Sequence, residues 1–492
     1  MTSKDGFQWT PKTGLVKGVP TIGAISPKSN IKSDATIYDV IVVGAGYCGL
    51  TAAREAAIGG LQVLLVEARD RIGGRSWSSN IGGYPFEMGG TWVTWGQSHV
   101  WREISRYQMQ DELEISQDYS SGAKHCCLSG LTGKKNISHD EEDALVESGL
   151  RKFVNVDGQY GRGVMPFPHS LKMNPLAAKY DSMTAADRMA QIQDSLTQDE
   201  YTALVGFILL CSGGTLDNMS FYEFLKWWAL SNYSYEYAIE YLVKYKFHGG
   251  QSSFAIRFFE EALDTGNLSY VFDTPVKEIH DLGNSVKVTA RNGSVFEGAQ
   301  VVSAMPLNTL NDVVFSPRLS QGKKAATNMG HINQCVKVHA EVRNKDLRSW
   351  STITYNPKDR FLYAFGDGTT PSNNTHIVAF GSQYNHLQPD DDIDVTLEAM
   401  QSLVSMDAER LVFHNWSKDE FAKGAWFFPT AGLVTKYLED LRASEGRVHF
   451  ANSDWARGWR SFIDGAIEEG TRAARTVMDL HKLQVSKKRS KM

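Results

Sequence analysis

Gly44-Ala45-Gly46-Tyr47-Cys48-Gly49 carries the glycine spacing of a loop that lays peptide N–H groups against a pyrophosphate. Gly44 permits the tight turn, Gly46 lets backbone approach phosphate oxygens, and Gly49 lets the following helix pack closely on the preceding strand. Glu67 follows 23 positions after Gly44, a carboxylate placed to accept from ribose hydroxyls. Dinucleotide binding of this kind needs three elements in order. Ile37 to Val43 is a β-branched apolar run of the type buried on both faces of a parallel sheet. Leu50 to Ile58 reads as a helix of small residues stopped by Gly59 and Gly60, and Leu61 to Val66 as a second strand ending at Glu67. The complete βαβ unit separates this loop from an ordinary glycine-rich turn, and the helix start adds N–H groups and positive dipole for the phosphates.

The fingerprint alone would serve NAD or FAD. After Glu67 come Ala68-Arg69-Asp70-Arg71-Ile72-Gly73-Gly74-Arg75 and then Phe86-Glu87-Met88-Gly89-Gly90-Thr91-Trp92-Val93. Gly73 and Gly74 can adopt positive φ and expose N–H groups while Arg75 adds a cation, although residue types alone also allow an Arg-rich surface turn. In these segments the chain resembles the flavin amine oxidase family, in which the ribose-binding acid is followed by a Gly-Gly-Arg turn at the phosphates and a Gly-Gly pair close to the flavin. Asp273 to Lys277, Val301 to Leu307, Arg447 to Asp454 and Gly465 to Ala474 carry the same resemblance. It is good over roughly residues 38–95, 245–340 and 411–480, loose in the middle helices, and closest to the soluble fungal monoamine oxidase branch. It implies an α/β fold: a Rossmann-like FAD-binding domain interleaved with an α+β substrate-binding domain. The cofactor contacts it implies are Gly44, Ala45, Gly46, Tyr47, Cys48 and Gly49; Glu67, Ala68 and Arg69; Gly74 and Arg75; and Gly89, Gly90, Thr91 and Trp92. Later in the chain they are Val276, whose backbone would meet adenine, Trp416, Ala425, Asn452, Ser453, Asp454, Phe462 and Ile463. Asn452-Ser453-Asp454 departs from the more usual Gly-Thr-Glu, which leaves its contact to the ribityl chain or pyrophosphate open.

Oxidation of an amine by a flavin needs a neutral amine held with its α C–H over the ring, exclusion of water, and a route for reoxidation; the cofactor carries the hard chemistry. The resemblance assigns Trp426 and Phe462 to two rings flanking the amine. On residue types alone, two core aromatics are equally consistent. Lys337 matches a lysine aimed through water at the flavin N5, an unusual group in an apolar strand; the ordinary alternative is an edge-strand lysine whose head reaches solvent. Ala425 stands where membrane-bound monoamine oxidases carry a flavin-linking cysteine, so noncovalent FAD is expected.

The expected reaction is oxidation of a primary monoamine to an imine, hydrolysed to an aldehyde or ketone plus ammonia, with O2 reduced to H2O2. No second GxGxxG lies between a strand and a helix, which favours O2 over NAD(P)H chemistry. A polyamine oxidase would want acids along a tunnel, and an L-amino-acid oxidase an arginine for the carboxylate; neither set is recognisable. A chromatin demethylase would add a helical arm and a basic surface, and a non-catalytic flavin-binding protein is the remaining alternative.

The 492 residues, 42% hydrophobic and 22% charged, describe a globular chain with a large core. Fifty-one Lys and Arg against 56 Asp and Glu leave a net charge of −5, which excludes a basic nucleic-acid footprint. At 11%, aromatic residues could line a pocket as well as fill a core. Five cysteines, Cys48, Cys126, Cys127, Cys211 and Cys335, argue against a disulfide framework, and His125-Cys126-Cys127 lacks metal-ligand spacing, so no metal is expected.

The segment 1–36 is an N-terminal extension without an apolar signal region, predicted to wrap the surface or stay mobile. Residues 37–95, 246–325 and 411–482 are assigned to the FAD domain, 96–245 and 326–410 to the substrate domain, and 483–492 to a basic tail. Within the substrate domain, helices are predicted over 139–150, 183–212 and 219–245. The longest apolar run, Ala203 to Cys211, is too short to span a bilayer. Expected partners are an amine and O2, with no nucleic acid and no membrane; a homodimer is compatible with the sequence, which does not fix the oligomeric state. Ser490-Lys491-Met492 resembles a peroxisomal address read by an import receptor, the alternative being a solvated basic tail on a cytoplasmic protein.

Overall fold

The β-branched run Ile37–Val43 lies inside a parallel sheet, between Val63–Val66 on one side and Val295–Ser303 on the other. Leu268–Val271 extends the sheet beyond Val63–Val66. The long strand Val295–Ser303 forks: its first half pairs antiparallel with Val286–Ala290, its last three residues parallel with Val448–Phe450. Three distant parts of the chain thus meet in one eight-stranded sheet. The computed structural model describes residues 1–31 and 37–489; the proposed address Ser490-Lys491-Met492 lies outside the described residues.

Helix Tyr47–Ile58 covers one face of this sheet together with Gln251–Asp264 and the C-terminal helix Ile463–Arg489. Small residues allow the close approach. A Cβ on Gly470 would come within 2.4 Å of the Cys48 carbonyl oxygen, and one on Gly49 within 1.8 Å of that of Gly44. Gly60, at φ +85°, ends the first helix where the glycine pair predicts.

A second, nine-stranded sheet runs Gly14–Pro20, Thr2–Thr10, Ala408–Phe413, Val336–Val342, Thr375–Gly381, Tyr363–Thr369, Trp350–Thr354, His125–Gly130 and Gly133–Ile137. The N-terminal extension is therefore not a surface wrap. Thr2–Thr10 and Gly14–Pro20 form a hairpin whose first strand completes the sheet against Ala408–Phe413. Buried Ser3 and Val19, with Phe7 stacked on Phe413, explain why it is ordered: its alternation puts one face into the core.

Helices between residues 139 and 242 pack on this second sheet around an aromatic-rich core. Helix His139–Val154 starts in a Ser138/Glu141 capping box and runs four residues beyond the predicted end. The two long predicted helices are interrupted. Met183–Ser212 divides into Ala185–Ile192 and Gln198–Ser212 because Thr197 and Glu200 form a new capping box. Met219–Tyr245 divides into Phe221–Leu230 and Tyr235–Leu242 because Asn232 and Tyr233 both take φ +55°. Apolar periodicity continues through both breaks, which is why it reads as continuous helix. Among the described residues no helix is long and apolar enough to cross a membrane. All five cysteines are buried and unpaired.

Candidate active site

A cavity enclosing about 2240 Å³ of atom-free space, its opening to solvent included, runs from the carboxyl ends of the parallel strands to the helical layer. Of the sequence-assigned residues, Gly44, Gly46, Tyr47, Cys48, Glu67, Ala68, Arg69, Gly74, Arg75, Gly89, Gly90, Thr91, Trp92, Val276, Lys337, Trp416, Ala425, Trp426, Asn452, Ser453, Phe462 and Ile463 line it. Ala45, Gly49 and Asp454 do not; they act on residues that do.

Gly44, at φ +106°, turns the chain out of its strand, and Gly46 begins the helix with no side-chain cap. First-turn N–H groups are thereby left for a ligand at the wall formed by Gly46, Tyr47 and Cys48. Gly74 sits so close that a Cβ there would lie 3.0 Å from the Gly46 Cα. Arg75 donates to the Ala425 carbonyl at 3.0 Å and reaches Asn452 Oδ1 at 3.1 Å, Ser453 Oγ at 3.2 Å and the buried Asp454 carboxylate. The departure from Gly-Thr-Glu thus has a defined role: Asp454 fixes Arg75, and its other oxygen accepts the Leu307 N–H at 3.0 Å. Gly89 and Gly90 are required by crowding, since a Cβ would meet the Arg75 carbonyl oxygen at 1.9 Å or Ser76 Oγ at 2.4 Å.

Glu67 accepts from the Ala45 N–H at 2.5 Å and the Arg69 N–H at 2.8 Å. Burial pushes its carboxyl above the usual range against the pull of these donors. Arg69 lines the cavity, but its guanidinium is bound to Asp5 at 3.0 Å and Asp419 at 2.5 Å, so its side chain braces the ribose turn and is not a free cation for the cofactor. Asp5 belongs to the N-terminal hairpin and also meets Arg71 at 2.9 Å. Burial would raise its carboxyl; Arg71 and Arg69 overcome that and hold it at about 2. Uncapped helix N–H groups, a braced acid and an anchored Arg75 together fit the phosphates and ribose of FAD.

Lys337 is not on an edge. Its strand lies between Thr375–Gly381 and Ala408–Phe413, and the residue is 5% exposed. The ammonium donates to Thr91 Oγ1 at 2.7 Å and the Gly89 carbonyl at 3.1 Å, between Trp92 and Phe380. Burial pushes its pKa down against the pull of Glu87, and burial likewise raises Glu87 above the usual carboxylate range.

Trp426 is held by its Nε1 on the Cys211 carbonyl at 2.9 Å, and Phe462 by edge contacts with Trp227 and Trp459, centroids 4.9 and 5.1 Å away. Positive φ lies close before both rings, at Lys423 (+53°) and Gly424 (+136°), three and two residues before Trp426, and at Ser461 (+82°), immediately before Phe462. For the non-glycine residues Lys423 and Ser461, such strained backbone is the kind retained where a side chain must be aimed.

Around these rings stand Phe207, Leu210, Cys211, Trp227, Ile239, Leu242 and Val243 from the helices, Gln117, and Tyr363, Phe365 and Phe380 from the second sheet. In the sequence Cys211 stands out only as a cysteine and Trp227 only as an aromatic of the helix predicted over 219–245; none of the others is assigned to the site. Phe207, Leu210 and Cys211, like Ile239, Leu242 and Val243, recur at i, i+3, i+4, a spacing identical for a cavity wall and a core stripe. The cavity's acids are Glu67, Asp312 and Glu420; Glu420 pairs with Arg291 beside Phe421, over which Arg69 also lies, at the Val276 end. The chamber at the other end has neither carboxylate nor guanidinium among its described helical and sheet walls.

A family model described as flavin containing amine oxidoreductase matches residues 47–478. The chain is 29% identical over 436 residues to a pseudooxynicotine dehydrogenase of Pseudomonas sp, covering 88% of this chain and 84% of that protein. With a nicotine dehydrogenase of Pseudomonas putida it shares 28% identity over 485 residues, 95% of each. The solved structure of cyclohexylamine oxidase from Brevibacterium oxydans superposes with a TM-score of 0.71 at 19% identity, over 91% of this chain and 100% of that one.

Proposed function

The chain belongs to the flavin containing amine oxidoreductases, and from that premise we propose that it oxidises apolar primary monoamines, with FAD bound noncovalently and O2 as electron acceptor. One observation carries the substrate class: the chamber around Trp426 and Phe462 is walled mainly by aromatic and aliphatic side chains and, among the described residues, has no carboxylate for a second ammonium and no guanidinium for a carboxylate. A dication or an amino-acid zwitterion entering it would lose hydration without a charged partner. A neutral amine with an apolar substituent loses little. FAD, when bound, supplies the two-electron acceptor.

The protein's part is to bind, orient and keep the site dry. The Trp426 and Phe462 rings would bracket the amine and orient its lone pair, each fixed from behind by Cys211 or by Trp227 and Trp459. Phe207, Leu210 and Leu242 would exclude water. Lys337, tethered to Thr91, would hold a proton beside the cofactor edge lined by Gly89 and Gly90. Ala425 offers no thiol, and burial keeps the thiols of Cys48, Cys211 and Cys335, which also line the cavity, well above the usual cysteine range. That supports noncovalent cofactor.

Two relatives named as dehydrogenases of nicotine-type compounds favour a second reading: the same amine chemistry on a ring-bearing substrate, with electrons passed to an acceptor other than O2. The test is a turnover panel with peroxide detection, comparing an arylalkyl monoamine, nicotine, a diamine and an amino acid at one pH. Preference for the monoamine in kcat/KM by about tenfold or more, with stoichiometric peroxide, supports the first reading. Amine-dependent turnover only with an added dye acceptor supports the second.

A further inference from the structure

A second cavity, enclosing about 470 Å³ of atom-free space with its opening to solvent included, lies where helix Phe221–Leu230, residues His169–Lys172 and helix Leu433–Arg442 meet the segment ending at Arg460. Its lining shares no residue with the amine cavity. Lys226 and Arg460 form its base, each 3% exposed. Lys172 and Arg457 are exposed at its mouth, beside His169.

Most of the acids around this cavity are held by other groups. Arg460 donates to Glu223 at 2.6 Å, Arg457 holds the lining acid Glu439 at 3.2 Å, and Glu468 accepts the N–H groups of Arg457 and Gly458 at 3.0 and 2.8 Å. Arg442, the remaining cation near Lys226, is paired with Glu469. Among the described residues the Lys226 Nζ has no hydrogen-bond partner, and one oxygen of Glu223, a helical turn earlier, is likewise unpartnered. A buried ammonium in that state is costly unless an anion meets it. Burial, with Arg460 close by, pushes it down to about 7 against the pull of Glu223 and Glu468.

We propose that this cavity binds a small oxoanion of the phosphate type, free or as the head of a phosphomonoester, with Lys226 and Arg460 at its base and Lys172 and Arg457 closing over its outer oxygens. Its four cationic side chains and open mouth suit an anion that arrives from solvent. Lys226 immediately precedes Trp227, and Arg460 stands two residues before Phe462, so the site shares two chain segments with the amine chamber.

The flavin-loaded enzyme would be titrated by calorimetry with sodium phosphate, sodium sulfate and glycerol phosphate, against sodium chloride at matched ionic strength and constant pH. Saturable heat with phosphate and sulfate but not chloride is expected. Glycerol phosphate binding as well identifies a phosphomonoester head, and binding of the inorganic ions alone identifies the free anion. Lys226→Met should weaken binding about tenfold or more, and the exposed Arg457→Gln severalfold. No saturable signal beyond chloride, or unchanged affinity in Lys226→Met, overturns the proposal. Should Lys226→Met not fold, unchanged affinity in Arg457→Gln overturns it.

Discussion

The ammonium of Lys337 donates to Thr91 Oγ1 at 2.7 Å, joining the centre of the nine-stranded sheet to the Gly-Gly turn of the dinucleotide half across 246 positions of sequence. A central-strand lysine held in this way is buried for a reason other than packing, because methionine would fill the space without the desolvation of a charge. Lys337→Met should leave reduction of the flavin by amine within about threefold of wild type and slow its reoxidation by O2 about tenfold or more. Stopped-flow measurement of the two half-reactions decides; equal effects on both would show that Lys337 only supports the turn.

Arg75 gathers Ala425, Asn452, Ser453 and Asp454, four residues from two distant segments. Arg75→Met would leave the fully buried Asp454 carboxylate without its cation, a loss of about 3 kcal/mol or more. The expected outcome is purified protein with most of its flavin missing and flavin affinity lowered about a hundredfold. Retention of a full complement of FAD after gel filtration would contradict the placement of Arg75 at the cofactor.

How much of this was legible in the sequence depends on range. The βαβ unit and the crowded glycines Gly49, Gly89 and Gly90 act on near neighbours, so spacing reveals them. Asp5 bracing Arg69 and Arg71 was not legible: the partners lie 64 and 66 positions apart, and nothing local marks an N-terminal aspartate as buried. The chamber residues Phe207, Leu210, Ile239 and Leu242 were hidden differently, since a helix stripe facing a cavity and one facing a core have the same period. Lys226 was passed over because an isolated lysine in an aromatic helix reads as a solvated head.

Buried histidines give the stability a pH slope. His331, His376 and His449 are each lowered to about 4 by burial, and His449 is held neutral between Ser444 at 2.8 Å and Gln300 at 2.9 Å. Unfolded histidine binds a proton near 6.5, so their stabilising effect is complete above that pH and is lost as pH falls from about 6.5 through 4, at up to about 1.4 kcal/mol per pH unit for each. Urea unfolding at pH 7, 6 and 5 should show stability falling steeply. His449→Gln should flatten the slope by about one histidine's share; an unchanged slope would remove His449 from this account.

Noncovalent attachment is checked by acid precipitation. With Ala425 at the linking position, the flavin should leave the pellet and colour the supernatant. A yellow pellet after washing would mean that Cys48, Cys211 or Cys335, all of which line the cavity, forms a bond despite its buried thiol.

The central claim, that this cavity oxidises an apolar amine, is tested most directly by anaerobic titration of the flavin-loaded enzyme with an arylalkyl monoamine, followed at the flavin absorbance and then exposed to air. The account predicts full bleaching by one equivalent of amine and recovery of the oxidised spectrum on admitting O2, with one peroxide formed per flavin. A flavin that no amine bleaches would contradict it.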